Sequence, residues 1–268
     1  MENYYRRFPD WNSFLRFALQ RSDSRNKTSR QMHDLDWFGG VTWKEAWELA
    51  THGWKEGAEK IKHYRTEIFN LLSEHIPTQS VVNATTGYAV NVGAYLSNDP
   101  ECFIYRELNN NDEPPKQFRL VVSVARSSSV SSEVIITRGA MICAMVDAIE
   151  MAGHRVEIIC NEKSESYGRV HEIDIVVKQY NQPLNIAGLS FCLAHPAMSR
   201  RLLFSADERT GWADFARNYG TPVDATDQGD NYFGAMRTST CPDIKEVESE
   251  IIERMVSMGI ILEKKPIV

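Results

Sequence analysis

A chain of 268 residues with 43% hydrophobic and 25% charged residues can build a real core, as one large domain or as a domain with a smaller companion. Its net charge of −6 excludes a globally cationic nucleic-acid binder but leaves room for a local basic patch. The five cysteines (Cys102, Cys143, Cys160, Cys192, Cys241) are scattered without zinc-finger spacing, which predicts reduced thiols in a cytoplasmic compartment.

The N-terminal stretch MENYYRRFPDW has no apolar leader core, and no apolar run approaches about 18 residues, so neither secretion nor a membrane span is expected. Residues 1–31 read as a basic aromatic arm. Arg6, Arg7, Arg16, Arg21, Arg25, Lys27 and Arg30 face only Glu2, Asp10 and Asp23. Within the arm, Asp10 caps a short helix with Phe14, Leu15, Ala18 and Leu19 on its apolar face. Tyr4, Tyr5, Phe8, Trp11, Phe14 and Phe17 alternate with the cations. Single-stranded nucleic acid is bound by such a mixture, with aromatics stacking on bases and cations meeting phosphates. The competing reading docks these aromatics on the domain and leaves the arginines in solvent.

Residues 32–108 read as a helical segment with short strands. Thr42 and Glu45 have the spacing of a capping box and open a helix that Gly53 ends. A second helix is predicted from Trp54 to Ile76, and one or two strands within 80–107. Trp43, Trp47 and Trp54 are expected to pack. The stretch NNNDEPP, 109–115, reads as a linker.

From residue 116 to 268 the pattern alternates strand and helix, predicting an α/β domain with a mostly parallel sheet covered by helices. Strands are expected at Phe118–Val124, Arg155–Cys160, Val170–Gln179 and Tyr232–Met236. Helices are expected at Ser132–Ala152, over the segment broken at His195–Pro196, and at 242–258. Ligands in such sheets sit at the carboxyl ends of strands. The loop from Ser123 to Ser132, with Ser127, Ser128, Ser129, Ser131 and Ser132, occupies that place. It lacks the glycines and the terminal Gly-Lys-Ser/Thr of a phosphate loop.

This layout resembles the von Willebrand factor A domain, whose first strand ends in D-x-S-x-S before a helix. The motif positions fall here on Ser123, Ala125 and Ser127. Serine replaces the aspartate and alanine the first serine. A later loop, GTPVDATDQGD, supplies Thr221 and Asp224 as further candidates. Losing the first-loop carboxylate removes the charge that would hold a divalent cation. No metal or other cofactor is therefore expected, with Ser127, Thr221 and Asp224 as the residues of a degenerate site. The triplet Asp224, Asp227 and Asp230 lacks the EF-hand order and reads as a turn-rich loop.

The stretches TWKEAWELATHGWKEGAEKI, GAYLSNDPECF, ITRGAMICAMVDAIEMAGHRVEI and HPAMSRRLLF together resemble an uncharacterised family of tailed-phage proteins. A further resemblance is to the single-stranded-DNA-binding transcription activator with which some podophages recruit their RNA polymerase. These resemblances imply an early protein of the host cytoplasm. Its partners would be single-stranded DNA and a phage or host protein such as RNA polymerase.

Catalysis has no sequence support. His33, His52, His63, His75, His154, His171 and His195 show no metal-ligand spacing. There is no G-x-S-x-G elbow and no Cys-His signature. Glu150 and Asp147 read as solvated acids, Cys192 as an inert core thiol, and His195 as structural. The expectation is a non-catalytic binding or adaptor protein. Its most specific form binds single-stranded DNA through Arg6, Arg7, Trp11, Arg16, Arg21, Arg25, Lys27 and Arg30. The alternatives are a metal-dependent protein-binding module and a virion or assembly protein.

Overall fold

The chain is described by a computed structural model over residues 2–62, 64, 80–87, 89–107, 115–151, 153–237 and 244–260. β5 (Gln117–Ser123) is the strand on which the main sheet is built. Leu120, Val121 and Val122 are each no more than 2% exposed, as a strand covered on both faces requires. It pairs in parallel with β6 (Arg155–Ser166) on one side and β9 (Asn231–Phe233) on the other. β6 returns through Tyr167 and Gly168, both at positive φ (48° and 69°), into antiparallel β7 (Arg169–Lys178). A two-residue turn of that hand matches strand twist. β1 (Tyr4–Phe8) adds in parallel to β7, and the short β8 (Thr221–Pro222) pairs the far end of β6. The order is β1-β7-β6-β5-β9 with β8 beside β6. The result is a mostly parallel central sheet flanked by helices, as expected. The hairpin is a departure, because β6 runs six residues past Cys160 as an alternating polar strand.

The N-terminal segment is not a detachable arm. In β1 Phe8 is buried and Tyr4 half-buried, while Tyr5, Arg6 and Arg7 are exposed. α1 (Trp11–Leu19) starts at Asp10, whose Oδ1 accepts from Ser13 N at 2.7 Å. It buries Phe14, Leu15, Phe17 and Ala18, whereas Leu19, expected inside, is 48% exposed. Residues 28–30 and 35–38 make short 3₁₀ turns. α2 (Trp43–His52) opens with the expected box: Thr42 Oγ1 accepts from Glu45 N, and Glu45 Oε2 from Thr42 N. Gly53, at φ 86°, ends it. Helical residues 55–62 follow; the rest of the predicted helix to Ile76 lies largely outside the described residues, as do residues 109–114 of the linker. β2 (Ser80–Ala84), β4 (Phe103–Glu107) and β3 (Ala89–Val90) form a small antiparallel sheet, with α3 (Val92–Leu96) between β3 and β4.

α4 (Ser132–Met151) is the central helix, buried around much of its circumference. It crosses α5 (Ile186–Ala194) at Gly139, where an added Cβ would collide with Leu193 O and Ala194 Cα. α5 stops at His195, and the chain resumes as a π-helical turn over Met198–Leu203 before α6 (Phe204–Thr210) and α7 (Trp212–Phe215). α8 (Ile244–Ser257) packs on α4. One large apolar cluster joins these helices to the inner face of the sheet. On the outer face Val121, Ile159, Val176 and Ala225 form a small second cluster, with Tyr232 against them. Glu150 is not a solvated acid: it accepts from the buried Lys178 Nζ (2.5 Å) and from Val156 N (3.2 Å).

Candidate functional site

Beyond the carboxyl end of β5 the chain opens a cleft of about 390 Å³. Its floor includes Ala125, Arg126, Ser127 and Ser128 from the loop after β5, and Glu162 and Ser164 from β6. Trp37, Leu203 and Phe204 make an apolar wall, and Tyr219 to Pro222 the far side. The loop is fixed from below: Ser123 Oγ accepts from Ala125 N (3.3 Å), and Ser127 N donates to Met236 O (2.8 Å).

Arg126 is the cation of this cleft. Its Nε donates to Val124 O (3.0 Å), while its Nη1 is shut off from solvent and meets no acceptor among the described residues. Burial, helped by the Arg200 and Arg138 guanidiniums, lowers its pKa to about 9. A guanidinium in that position is stabilised by an anion. Arg200 also lines the cleft, but its donors are committed to Trp37 O and Val130 O, and it stacks on the Trp37 ring. Arg201 is fully buried and donates to Ser29 O, Gln31 O and Val41 O. Both arginines of SRRLLF are thus internal donors, at 2% and 0% exposed.

Where Glu162 borders the cleft, a second feature lies beneath. Glu162, His171 and Asp207 are 7%, 0% and 0% exposed and bring one ligand atom each within 4.8 Å of the others. His171 Nδ1 stands 3.3 Å from Asp207 Oδ1 and 3.8 Å from Glu162 Oε2. The imidazole is clamped between Tyr4 of β1 and Trp212 of α7, with ring centroids at 4.7 and 5.4 Å. Desolvation, with the charges of Glu162 and Glu208, holds the Asp207 carboxyl well above the usual range. The neighbouring Glu208 differs: it accepts from Ser29 N, Ser29 Oγ and Tyr219 OH.

A family model described as "Domain of unknown function (DUF7192)" matches residues 2–256. The chain belongs to the DUF7192 family. No curated protein and no solved structure matches it. The DUF7192 match takes in β1, the small sheet and α8 alike, which agrees with an N-terminal strand built into the main sheet.

The residues singled out from the sequence are only partly brought together. Ser127 and Thr221 share the cleft, but Asp224 does not line it. Its Oδ1 accepts from Tyr232 OH and Ala235 N, and its Oδ2 pairs with Arg237. Asp227 pairs with Arg119, and Asp230 accepts from Arg119 N, so this acidic triplet ties down a loop. Arg6, Arg7, Arg16, Arg21, Arg25, Lys27 and Arg30 are all exposed. Of their aromatic companions only Tyr5 is exposed, at 59%: Phe8, Phe14 and Phe17 are at most 8% exposed, Trp11 donates to Ala50 O, and Tyr4 covers His171. Arg6 lies over Phe8 and Phe17, and Arg30 over Trp43. His195 is structural, its Nδ1 accepting from Ala197 N. Among the described residues, no helix is long and apolar enough to cross a membrane.

Arg126 and the Glu162–His171–Asp207 group escaped the sequence reading. The signal for the first is a lone cation inside a serine loop. For the second it is a Tyr-Gly turn whose register puts Glu162 and His171 on one face of the hairpin.

Proposed function

We propose that the protein is a non-catalytic binding or adaptor module whose cleft receives an anionic group, carboxylate or phosphate, carried by a partner. The observation that carries this is the half-buried Arg126 guanidinium, which lines the cleft and whose Nη1 meets no acceptor among the described residues. Burying an uncompensated cation is costly, and an anion at that point offsets the cost with charge-assisted hydrogen bonds. Ser127 and Ser128 add hydroxyl groups beside it. The strand, serine loop and long helix support the likeness to a von Willebrand factor A domain. Serine stands where the acid of such a site would be, and a guanidinium sits between Ala125 and Ser127.

The partner is a phage or host protein, or single-stranded DNA in the setting of phage transcription. DNA is favoured by the row of exposed cations from Arg6 to Arg30. The inward commitment of the other aromatics leaves only Tyr5 for base stacking, a contribution of about 1–3 kcal/mol per base. Calorimetric titration of the full chain with phosphate, acetate and an oligothymidylate, at low and high salt, separates these sources. Phosphate or acetate is expected to bind, and Arg126→Gln to weaken binding at least about tenfold, as loss of a charged hydrogen bond does. An oligonucleotide that binds alone, with sensitivity to Arg6 and Arg7 but not to Arg126, moves the function to the N-terminal cations. Absence of binding by all three rejects the reading.

A further inference from the structure

We infer that Glu162, His171 and Asp207 form a binding site for one divalent first-row transition cation beneath the cleft. The inference goes beyond the anion-binding reading and does not depend on Arg126. Thr210 Oγ1 donates its one hydrogen to Asp207 O at 3.0 Å. It is therefore an acceptor toward His171 Nε2, 3.0 Å away, and Nε2 carries the ring proton. In the neutral imidazole Nδ1 then presents a lone pair to two carboxylates, at 3.3 and 3.8 Å.

Glu162 Oε2, His171 Nδ1 and both oxygens of Asp207 are buried without a hydrogen-bond partner among the described residues. One proton cannot satisfy this group. A proton shared between His171 and Asp207, whichever of the two carries it, leaves the other Asp207 oxygen and Glu162 Oε2 still without a donor. A cation answers all of them at once, and two carboxylates neutralise its charge. The contrast with Glu208 shows that the fold supplies donors where it buries a plain structural acid.

The two separations from His171 Nδ1 are of the right size. Ligands about 2.0–2.1 Å from a tetrahedral metal lie roughly 3.4 Å from one another, against 3.3 and 3.8 Å here. The ring is already oriented by Tyr4 and Trp212, and its other nitrogen is held by Thr210. A second partner of that kind is what a metal-bound histidine requires. Imidazole with carboxylates selects zinc, manganese or cobalt over calcium and magnesium. Glu162 borders the cleft, so a ligand seated there meets the site from its open side.

The test uses the full chain, stripped with chelator and titrated with Zn²⁺, Mn²⁺ and, for visible absorption, Co²⁺. One equivalent is expected to bind, with a rise in Tm and with quenching of Trp212 fluorescence by Co²⁺. Asp207→Asn and Glu162→Gln each weaken binding at least tenfold, while Arg126→Gln leaves it unchanged. If Asp207→Asn does not fold, the cleft-lining Glu162→Gln decides. Absence of a Zn²⁺ or Mn²⁺ isotherm overturns the site in favour of a shared proton or a buried water. An isotherm that neither variant alters places the metal elsewhere and overturns it equally.

Discussion

His195 shows how one buried side chain sets a pH dependence. It is 3% exposed, packed on Trp54 and Phe191, and burial, with Lys60 and Arg126 nearby, lowers its pKa to about 4. The unfolded chain binds this proton at about pH 6.5. Its contribution to stability is thus complete above about 6.5 and lost as pH falls toward 4. The loss reaches about 3 kcal/mol. Asparagine keeps an acceptor for Ala197 N, so His195→Asn should flatten the denaturation midpoint across that window while lowering it at pH 7. An undiminished slope in chemical melts from pH 7 to 4 contradicts the assignment. At this scale the sequence is least readable. A lone His195 before proline announces a chain break, and α5 does end there. Nothing local announces that His171 meets Asp207, 36 positions away.

At the scale of elements, local chemistry was legible wherever it is short-range. The Asp10 cap, the Thr42–Glu45 box and the Gly53 stop depend on residues at most three apart, and all three are present. The β6–β7 hairpin was missed because the polar run after Cys160 reads as a loop until its partner strand supplies the other side. The α4–α5 crossing rests on Gly139. Alanine there gains about 1 kcal/mol of helix propensity. Its methyl, however, meets backbone atoms of Leu193 and Ala194, which side-chain rotation cannot relieve. Gly139→Ala is therefore expected to destabilise by about 2 kcal/mol or more net, measured by urea denaturation. Equal or greater stability in the variant would show that these helices are not in close contact.

Taken whole, the molecule keeps its chemistry on one side of the sheet. The helix-covered face of β6 and β7 carries Ile158, Cys160 and Ile173 toward the core, Glu162 toward the cleft and His171 beneath it. β1 closes this arrangement by pairing with β7 and setting Tyr4 on His171. The fold class was legible because its period-two and helical patterns are strong. The place of β1 was not, since a basic aromatic segment looks alike whether its rings face a nucleic acid or a core. Deleting residues 2–9 removes the buried Phe8, the edge strand and one wall of the imidazole clamp. Tm should fall by about 10 °C or more, followed by circular dichroism; an unchanged Tm would return these residues to the status of an arm.

The anion cleft is tested most directly by nitrogen-15 resonances of the Arg126 guanidinium, recorded while phosphate or acetate is added. A saturable shift at Arg126, with its Nη protons slowed in exchange and Arg200 little changed, is the predicted result. Resonances of Arg126 that stay in place while those of Arg6, Arg7 or Arg30 move would contradict it.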